Sequence, residues 1–406
     1  MTSSLPPAAS SQLGSHSSLR AASTRAAFPV FFLSGMLMAF PGAILPVWGY
    51  HLSYDFVEVG RYFLAVILGV LAAVKIGGFV VSHKGIRFAI VLGCAVAGVA
   101  LAGLGLVSPP ASWIWRFAGT MLVGVAAGLL NTAAFQSLSK VYERDPAATV
   151  NLAGVSFGLG CLAVVLIVWL AFYFYTPASM LFLMSLIPWF SAVVFARSSF
   201  APPVPHVTKG LRDIWLEVRS PGAVLFSLLL FFQFGNEWSV AGWLAVFLVH
   251  RVGVSPATGL GLLAFYWLAL LVGRVVTQAL LARVSHGWLL LGSTLSAVLG
   301  AIILATTNNQ FGAWTAILFL GGGFATIYPL VVEKIGNRLP DYHPGFFNGL
   351  LSFGLTGGLL APWCLGYLAD WWGIQTVMIV PVLGTLMVFL LVVLLWIESK
   401  LVTSSR

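Results

Sequence analysis

Long apolar segments recur along the chain, and they constrain its fold more than any other feature. A helix needs about 20 apolar residues to cross the hydrocarbon core of a bilayer, which is about 30 Å thick. Twelve segments of this kind are predicted, at 27–50, 58–82, 88–107, 113–139, 148–172, 178–196, 222–249, 257–282, 288–306, 311–334, 345–370 and 374–397. The sequence therefore predicts an all-α integral membrane protein with twelve transmembrane helices.

The composition excludes the main soluble classes. Of the 406 residues, 60% are hydrophobic and only 8% are charged, whereas soluble domains carry about 25% charged residues. So much apolar surface must be buried, which excludes a disordered chain. The net charge of +9 reflects a shortage of acidic residues rather than a dense basic patch. We therefore expect a lipid bilayer as the surroundings and no nucleic-acid partner.

The few charged residues predict the division of the chain and its orientation. The longest charged stretch, 197–221, separates six predicted spans from six others. The predicted organisation is a disordered tail over 1–26, bundles over 27–196 and 222–397, a linker over 197–221 and a second tail over 398–406. An alternating arrangement leaves only Arg61 and Arg251 among the cations of the opposite loops. Because cytoplasmic loops are rich in Lys and Arg, both tails and the linker are predicted to be cytoplasmic, in a plasma (inner) membrane protein.

The two halves share short matching sequences. Three features recur at an offset of 196 positions, namely Ser156-Phe157-Gly158-Leu159 as Ser352-Phe353-Gly354-Leu355, Gly77 as Gly273, and Asp145 as Asp341. Matches at equivalent places in two six-span halves indicate an internal repeat. We expect two pseudo-symmetric six-helix bundles with a binding site between them near the midplane, as in secondary transporters.

Glu237 is the carboxylate placed deepest in a predicted span, the seventh. Ionisable residues within the hydrocarbon are costly and often functional. Desolvation disfavours the charged form of a carboxylate, so this residue could load and release a proton. The alternative is a structural Glu that bonds to a neighbouring helix. Arg274 is its natural charge partner, although Arg274 and Lys75 could equally serve a gate or extend to the membrane surface. Arg116 is interpreted as an interface anchor.

Neutral polar and aromatic side chains supply candidates for a substrate cavity. The candidates are Asn131, Gln136, Asn151, Gln233, Asn236, Trp238, Trp243, Tyr328 and Asn348. Amides and hydroxyls with interleaved aromatic rings suit a neutral sugar or polyol. Such residues also hold helices together, and this alternative stays open for each of them. The three cysteines lie in apolar runs without metal-ligand spacing, so no metal or cofactor is expected.

The loop between spans two and three carries a family resemblance. The stretch from Gly78 to Arg87 reads GFVVSHKGIR and resembles the Gly-x-x-x-Asp-Arg-x-Gly-x-Arg/Lys signature of the major facilitator superfamily. Gly78, Gly85 and Arg87 match, whereas Ser82 and His83 replace the Asp and Arg. The resemblance implies the major facilitator fold and gate roles for the matching residues. The Asp-based gate relay of the family is in doubt here.

Within that superfamily the chain is most similar to the fucose permease-like sugar–proton symporters. The similar stretches are 128–132, 151–160, 237–243 and 366–370. That branch often carries acidic residues on spans one and four, which are absent here, so any proton coupling would rest on Glu237. The resemblance implies a monomeric carrier that moves a small solute by alternating access, coupled to protons.

Three other functions are considered. An efflux carrier for lipophilic compounds would also suit the 14% aromatic residues. A membrane-embedded enzyme needs a convergent acid, base or nucleophile set, and the seven histidines all fall in loops, tails or span ends. A membrane sensor that transports nothing is the remote alternative. We therefore expect a transporter and not an enzyme.

Overall fold

A computed structural model describes the backbone of residues 7–50, 55–144, 146–200, 202, 221–281, 283–338 and 344–404. Side chains are described over 25–49, 55–138, 152–200, 202, 221–281, 283–335 and 353–398. Within these ranges the regular structure is entirely helical. The helices are α1 Pro7–Tyr50, α2 Phe56–Lys84, α3 Ile86–Leu106, α4 Trp113–Arg144, α5 Pro146–Ala171, α6 Pro177–Ala196, α7 Pro221–Arg251, α8 Pro256–Leu281, α9 His286–Thr306, α10 Gln310–Arg338, α11 Pro344–Trp372 and α12 Thr376–Ser404.

Most of these helices can span a bilayer. Eleven contain a described segment that is long and apolar enough to do so, and α11 is the helix whose described part falls short of that criterion. The spanning part of α1 is Arg25–Gly49. The helix α1 begins at Pro7, within the stretch 1–26 that was predicted to be a disordered tail, and side chains before Arg25 lie outside the described residues. The predicted domain boundary at residue 26 stays a prediction. Of the predicted linker over 197–221, residues 201 and 203–220 lie outside the described residues. The prediction of an all-α membrane protein is confirmed.

The helices of the two halves pair in the same way. In the first half α1 packs on α5, α2 on α4 and α3 on α6; in the second half α7 packs on α11, α8 on α10 and α9 on α12. Glycines permit equivalent close approaches. A Cβ atom added to Gly160 of α5 would strike the carbonyl oxygen of Phe32 in α1, and one added to Gly357 of α11 would strike that of Phe231 in α7. The predicted pseudo-symmetric pair of bundles is therefore observed.

The two halves are packed tightly at the end of the bundle where α1 ends and α2 begins, here called the Asp55 end. A Cβ atom added to Gly366 of α11 would lie 2.7 Å from the Cα of Gly60 in α2. A further contact between the halves at this end joins Gly261 of α8 to the ring of Trp169 in α5, at 3.5 Å from an added Cβ. The described halves are therefore closed together at the Asp55 end.

The helix α2 becomes exposed towards its other end, here called the Lys84 end. Val74, Lys75 and Gly78 are exposed, whereas Val66 and Ile67, nearer the Asp55 end, are buried. A Cβ atom added to Gly78 would meet nothing within 4 Å. The described part of α2 is thus less covered towards the Lys84 end than near the Asp55 end, and Val66, Ile67 and Val70 between them line an internal space.

Candidate functional site

A cavity of about 220 Å³ lies between the two halves. The helices α1, α2, α4 and α5 form one wall, and α7, α8, α10 and α11 form the other. Gly42, Phe63 and Gly242 line the cavity at its Asp55 end, where the Phe63 ring lies 2.7 Å from a Cβ atom added to Gly242. A space with walls from both halves is where an alternating-access carrier holds its solute.

Glu237 reaches this cavity because of its position on α7. Phe234, Glu237, Trp238 and Ala241 all line the cavity, and their spacing of three and four residues places them on one face of the helix. The Glu237 side chain is buried, with 7% of the residue exposed. The Tyr266 hydroxyl of α8 donates a hydrogen bond of 3.3 Å to the backbone carbonyl of Glu237. The carboxylate is therefore held on a fixed helix at the boundary between the halves.

Arg274 reaches the same cavity from α8 and extends towards the first half. Its Nη1 atom lies 2.9 Å from the position of a Cβ atom added to Gly154 of α5, so the missing side chain of Gly154 makes room for the guanidinium. The Nε atom of Arg274 is buried without a hydrogen-bond partner among the described residues. The sequence suggested an ion pair with Glu237. The structure places both groups on one cavity, and among described atoms the pair is not within 4.0 Å.

Aromatic rings form most of the remaining wall. Trp238 of α7 makes an edge-to-face contact with Phe157 of α5 at a centroid distance of 6.0 Å, so this pair joins the two halves. Phe234 lies 5.1 Å from the Tyr328 ring. Asn131 of α4 is a polar residue of the opposite wall. The cavity therefore offers flat apolar surfaces, one amide, one carboxylate and one guanidinium.

Three other cavity candidates lie in helix packing instead. The Trp243 indole donates a hydrogen bond of 2.9 Å to the Pro362 carbonyl, and its ring stacks on Phe63 at 6.0 Å. Trp243 thus belongs to the closed Asp55 end. Asn236 is buried against α12, where a Cβ atom added to Gly384 would strike its side-chain oxygen. Gln233 is fully buried one turn before Glu237 and is not part of the wall.

The remaining predicted residues lie outside the cavity or outside the described side chains. Gln136 is half-buried on α4 and does not line the cavity. The side chains of Asn151 and Asn348 lie outside the described residues. Lys75 is exposed on α2 and does not contribute to the wall. The structure therefore brings together Asn131, Glu237, Trp238, Arg274 and Tyr328 from the predicted set.

The signature loop between α2 and α3 is a tight exposed turn. Gly85 has φ of +87°, a backbone conformation that glycine adopts readily and that strains other residues. The Ser82 hydroxyl donates to the Phe79 carbonyl at 2.9 Å, and Ser82 and His83 contact each other at 2.9 Å. Gly78 and Arg87 are exposed. The turn thus explains the glycine of the motif, while the replaced acidic position makes only local contacts.

A buried charged cluster near the Asp55 end was missed by the sequence analysis. Arg116 is 2% exposed, donates to Glu58 at 2.7 Å and to the Tyr62 hydroxyl at 2.7 Å, and donates to the Ala111 carbonyl at 2.7 Å. The Tyr62 hydroxyl also donates to Glu58. The interpretation of Arg116 as an interface anchor was therefore wrong, because its charge is neutralised inside the first half. The four-residue spacing of Glu58 and Tyr62 on α2 was the available signal.

Metal ligands are not clustered in the part of the chain that the structure describes. No group of three or more His, Cys, Asp or Glu residues in those ranges could hold a metal ion. Glu237, the carboxylate of the cavity, shares the described wall with the Arg274 guanidinium and with no further acidic or imidazole side chain. The described cavity wall thus offers one carboxylate and one guanidinium to a solute.

Comparisons with known proteins agree with this architecture. The family model of the Major Facilitator Superfamily matches residues 3–165 and 117–358. An uncharacterised MFS-type transporter of Yersinia pestis is 25% identical over 357 residues, covering 86% of this chain and 88% of that protein. A glucose/galactose transporter of Brucella abortus is 27% identical over 165 residues, covering 39% of each chain.

Two solved structures share the fold at low sequence identity. A mutant of the nucleoside transporter NupG has a TM-score of 0.69 and 13% identity, covering 92% of this chain and 99% of its own. The transporter FucP in its outward conformation has a TM-score of 0.62 and 15% identity, covering 92% and 98%. The family match extends over more than half of the residues, through both six-helix halves. The chain therefore belongs to the Major Facilitator Superfamily and is a membrane transporter rather than an enzyme.

Proposed function

We propose that the protein is a proton-coupled secondary transporter of a small solute of the sugar or polyol class. The observation that carries this proposal is the position of Glu237, which is the carboxylate of a cavity with walls from both halves. A carboxylate exists in charged and protonated forms. It can carry a proton across the membrane if it is exposed to each side of the membrane in turn. Rocking of the halves about the cavity would produce that change.

The proposed solute class rests on the cavity wall and on a relative. Asn131 offers an amide for hydrogen bonds to hydroxyl groups, while Trp238, Phe157 and Tyr328 offer flat faces for a sugar ring. Ligand sites commonly combine such apolar surfaces with a few placed polar groups. The Brucella abortus protein with a partial match is named a glucose/galactose transporter. These features together favour a sugar-sized hydroxylated solute.

The proposed orientation follows from the distribution of cations. Positively charged loops mark the cytoplasmic side, which places the Lys84 end and both termini in the cytoplasm of a cell whose plasma membrane holds the protein as a monomer. The closed Asp55 end then faces outside. In this orientation the described conformation keeps the cavity from the exterior, and transport requires the Gly60–Gly366 and Trp243–Phe63 contacts to separate.

The test of proton coupling is Glu237→Gln in proteoliposomes. Gln has nearly the shape of a protonated Glu but cannot release a proton. With one proton per neutral solute, an imposed gradient of one pH unit is worth about 1.36 kcal/mol and drives about tenfold accumulation. We expect the variant to lose that accumulation and to keep exchange of labelled for unlabelled solute.

The matched control is Glu333→Gln. Glu333 forms an ion pair of 2.9 Å with His286 at a largely exposed site, away from the cavity, so its removal should leave accumulation unchanged. Full accumulation by Glu237→Gln would disprove the proton-carrier role. Loss of both accumulation and exchange, with normal folding, would assign Glu237 to solute binding alone.

The second candidate function is efflux of lipophilic compounds, which the aromatic wall favours. Phe31, Phe63, Phe135, Phe157 and Phe234 line the cavity, so most of its surface is apolar. The substitution Asn131→Ala separates the two functions. A sugar carrier should lose affinity because a buried hydroxyl of its solute loses a partner, whereas efflux of an apolar cation should be unaffected. Thermal stabilisation by lipophilic cations alone would favour efflux.

A further inference from the structure

Arg274 in the cavity and Arg116 near the Asp55 end differ in their hydrogen bonding. Arg274 is the cation of the described cavity wall, and its Nε atom is buried without a hydrogen-bond partner among the described residues. Arg116 provides the contrast, because its guanidinium donates to Glu58, Tyr62 and the Ala111 carbonyl. Arg274 is half-buried, and a buried guanidinium N–H such as its Nε is costly to leave without an acceptor, which favours a ligand that supplies one.

The acceptor that best fits these donors is a carboxylate. Guanidinium is planar, remains charged and binds a carboxylate through two parallel hydrogen bonds. We propose that the transported solute is a small organic acid monoanion whose carboxylate binds Arg274. This inference rests on the proton coupling of the proposed function and replaces its neutral solute by one that carries a carboxylate.

The charges of the cavity then predict the stoichiometry of transport. With Glu237 ionised, the empty cavity holds one negative and one positive charge. An entering carboxylate would lie in the same small cavity as the Glu237 carboxylate, and the like charges would repel. A proton on Glu237 removes that repulsion. The empty and loaded cavities both have zero net charge, so each cycle carries one proton and one monoanion without moving charge.

This neutrality has a physical advantage. Charges are expensive within the hydrocarbon region, and both conformational steps here would carry a balanced cavity through it. The guanidinium extends from α8 to Gly154 of α5 in the other half, so it lies where the two halves meet. A carboxylate bound there would be held at the boundary that moves during alternating access.

The part of the solute beyond its carboxylate would contact the uncharged residues of the cavity wall. Trp238, Phe157 and Tyr328 offer ring faces, and Asn131 offers an amide. A sugar acid would use both kinds of surface, whereas an aromatic acid would use mainly the rings. The shared feature is the carboxylate, and matched pairs of probes distinguish the two bodies.

The first measurement is binding by thermal shift of the purified protein in detergent. The probe pairs are galacturonate against galactose, and benzoate against benzyl alcohol, because the members of each pair differ mainly in the carboxylate. We expect stabilisation by one or both acids and not by the neutral partners. Arg274→Gln should weaken binding of the acid at least about tenfold, since hydrogen bonds to charged groups are the strong ones. Arg274→Lys keeps the charge without the bidentate geometry and should recover part of the affinity.

The second measurement is uptake of radiolabelled galacturonate and galactose into proteoliposomes under two separate gradients. An inward gradient of one pH unit should accumulate the acid anion about tenfold, from about 1.36 kcal/mol per pH unit. A membrane potential of about 100 mV, negative inside, should not affect it. A neutral solute carried with one proton would instead accumulate about fiftyfold at that potential, from about 2.3 kcal/mol per charge. Arg283→Gln, at an exposed loop position, is the matched control.

The outcomes separate this inference from the proposed function. Potential-driven accumulation of galactose without transport or binding of either acid would overturn the inference and leave proton coupling intact. Binding of an acid that depends on Arg274, combined with no response to the pH gradient, would support carboxylate recognition and overturn proton coupling. An acid that binds equally well to Arg274→Gln would overturn the assigned role of Arg274. Neither binding nor transport of any of the four probes would overturn both.

Discussion

The closed Asp55 end provides a prediction whose size follows from the geometry of one residue. Gly366 of α11 packs against α2 so closely that an added Cβ would lie 2.7 Å from the Cα of Gly60 and 2.7 Å from the Phe56 carbonyl oxygen. Ordinary contacts of such atoms are near 3.5–4.0 Å, so the alanine must force the helices apart. We expect Gly366→Ala to destabilise the conformation that is closed at this end.

The size of the effect is that of an overpacked interior contact. Overpacking costs about 1–3 kcal/mol, and every 1.4 kcal/mol is a tenfold change in a population ratio. The ratio of the open to the closed Asp55 end should therefore rise between about fivefold and a hundredfold. Both partners are helix backbone atoms that no rotamer change can move, so the strain is relieved by separating the two halves.

The assay is the distance between two spin labels on opposite halves. Trp115 of α4 and Trp371 of α11 are 62% and 66% exposed near this end, so cysteines there should accept labels without disturbing the core. Gly366→Ala should shift the distance distribution towards longer separations. Gly103→Ala is the control, because its added Cβ meets nothing within 4 Å while its gain in helix propensity is the same. Identical distributions for the two variants would refute the close packing of α2 and α11.

Two further predictions concern the charged clusters. Glu58→Ala should lower the free energy of unfolding by about 2–4 kcal/mol, because it leaves the buried Arg116 guanidinium without its charge partner. The measurement is thermal stability in detergent, with Glu333→Ala as the control because its more exposed ion pair is worth about 0–1 kcal/mol. An equal loss of stability in both variants would contradict the burial argument. Gly154→Ala should raise the KM for the transported acid by up to about tenfold, from the about 0.5–1.5 kcal/mol of one hydrogen bond, because an added Cβ lies 2.9 Å from the Arg274 Nη1 atom and shifts the guanidinium. An unchanged KM would show that binding does not depend on the position of the guanidinium beside Gly154.

The number and order of the spans could be predicted from sequence because they depend on length and composition. Twenty apolar residues have one stable arrangement in a bilayer, a helix with all backbone hydrogen bonds satisfied. The repeat was also visible, since Gly77 and Gly273 occupy equivalent places: added Cβ atoms would meet Thr132 of α4 and Ala325 of α10, respectively. Close helix packing requires small residues at fixed positions, so glycines at equivalent places in the two halves can be recognised from the sequence.

The orientation of side chains around each helix could not be predicted in the same way. In a soluble helix the polar face marks the solvent, but here both the lipid face and the helix-packing face are apolar. The sequence therefore gives Asn236 and Glu237 as equally good cavity candidates. Consecutive residues of a helix are rotated by about 100° around its axis, so Asn236 points towards α12 while Glu237 lines the cavity. The contact of Arg116 with Glu58 joins residues on two helices, and only the packing of α2 on α4 brings them together.

The pseudo-symmetry of the fold makes the asymmetry of its chemistry informative. The offset of 196 that relates the halves aligns Glu237 with Pro41 and Arg274 with Gly78, so the first half has no ionisable residue where the second half has its cavity charges. A carrier needs two halves that move relative to each other. A proton and an anion need only one set of binding groups, which is exposed to each side of the membrane in turn. With both charges on α7 and α8, the first half contributes ring faces, the Asn131 amide and the space at Gly154. Pro41 also lines the cavity, so moving the carboxylate to this repeat-related position, as Pro41→Glu with Glu237→Gln, should restore part of the gradient-driven accumulation, because the repulsion of an entering carboxylate depends on the shared cavity. No accumulation in that double variant, with normal folding, would show that coupling requires the carboxylate on the second half beside Arg274.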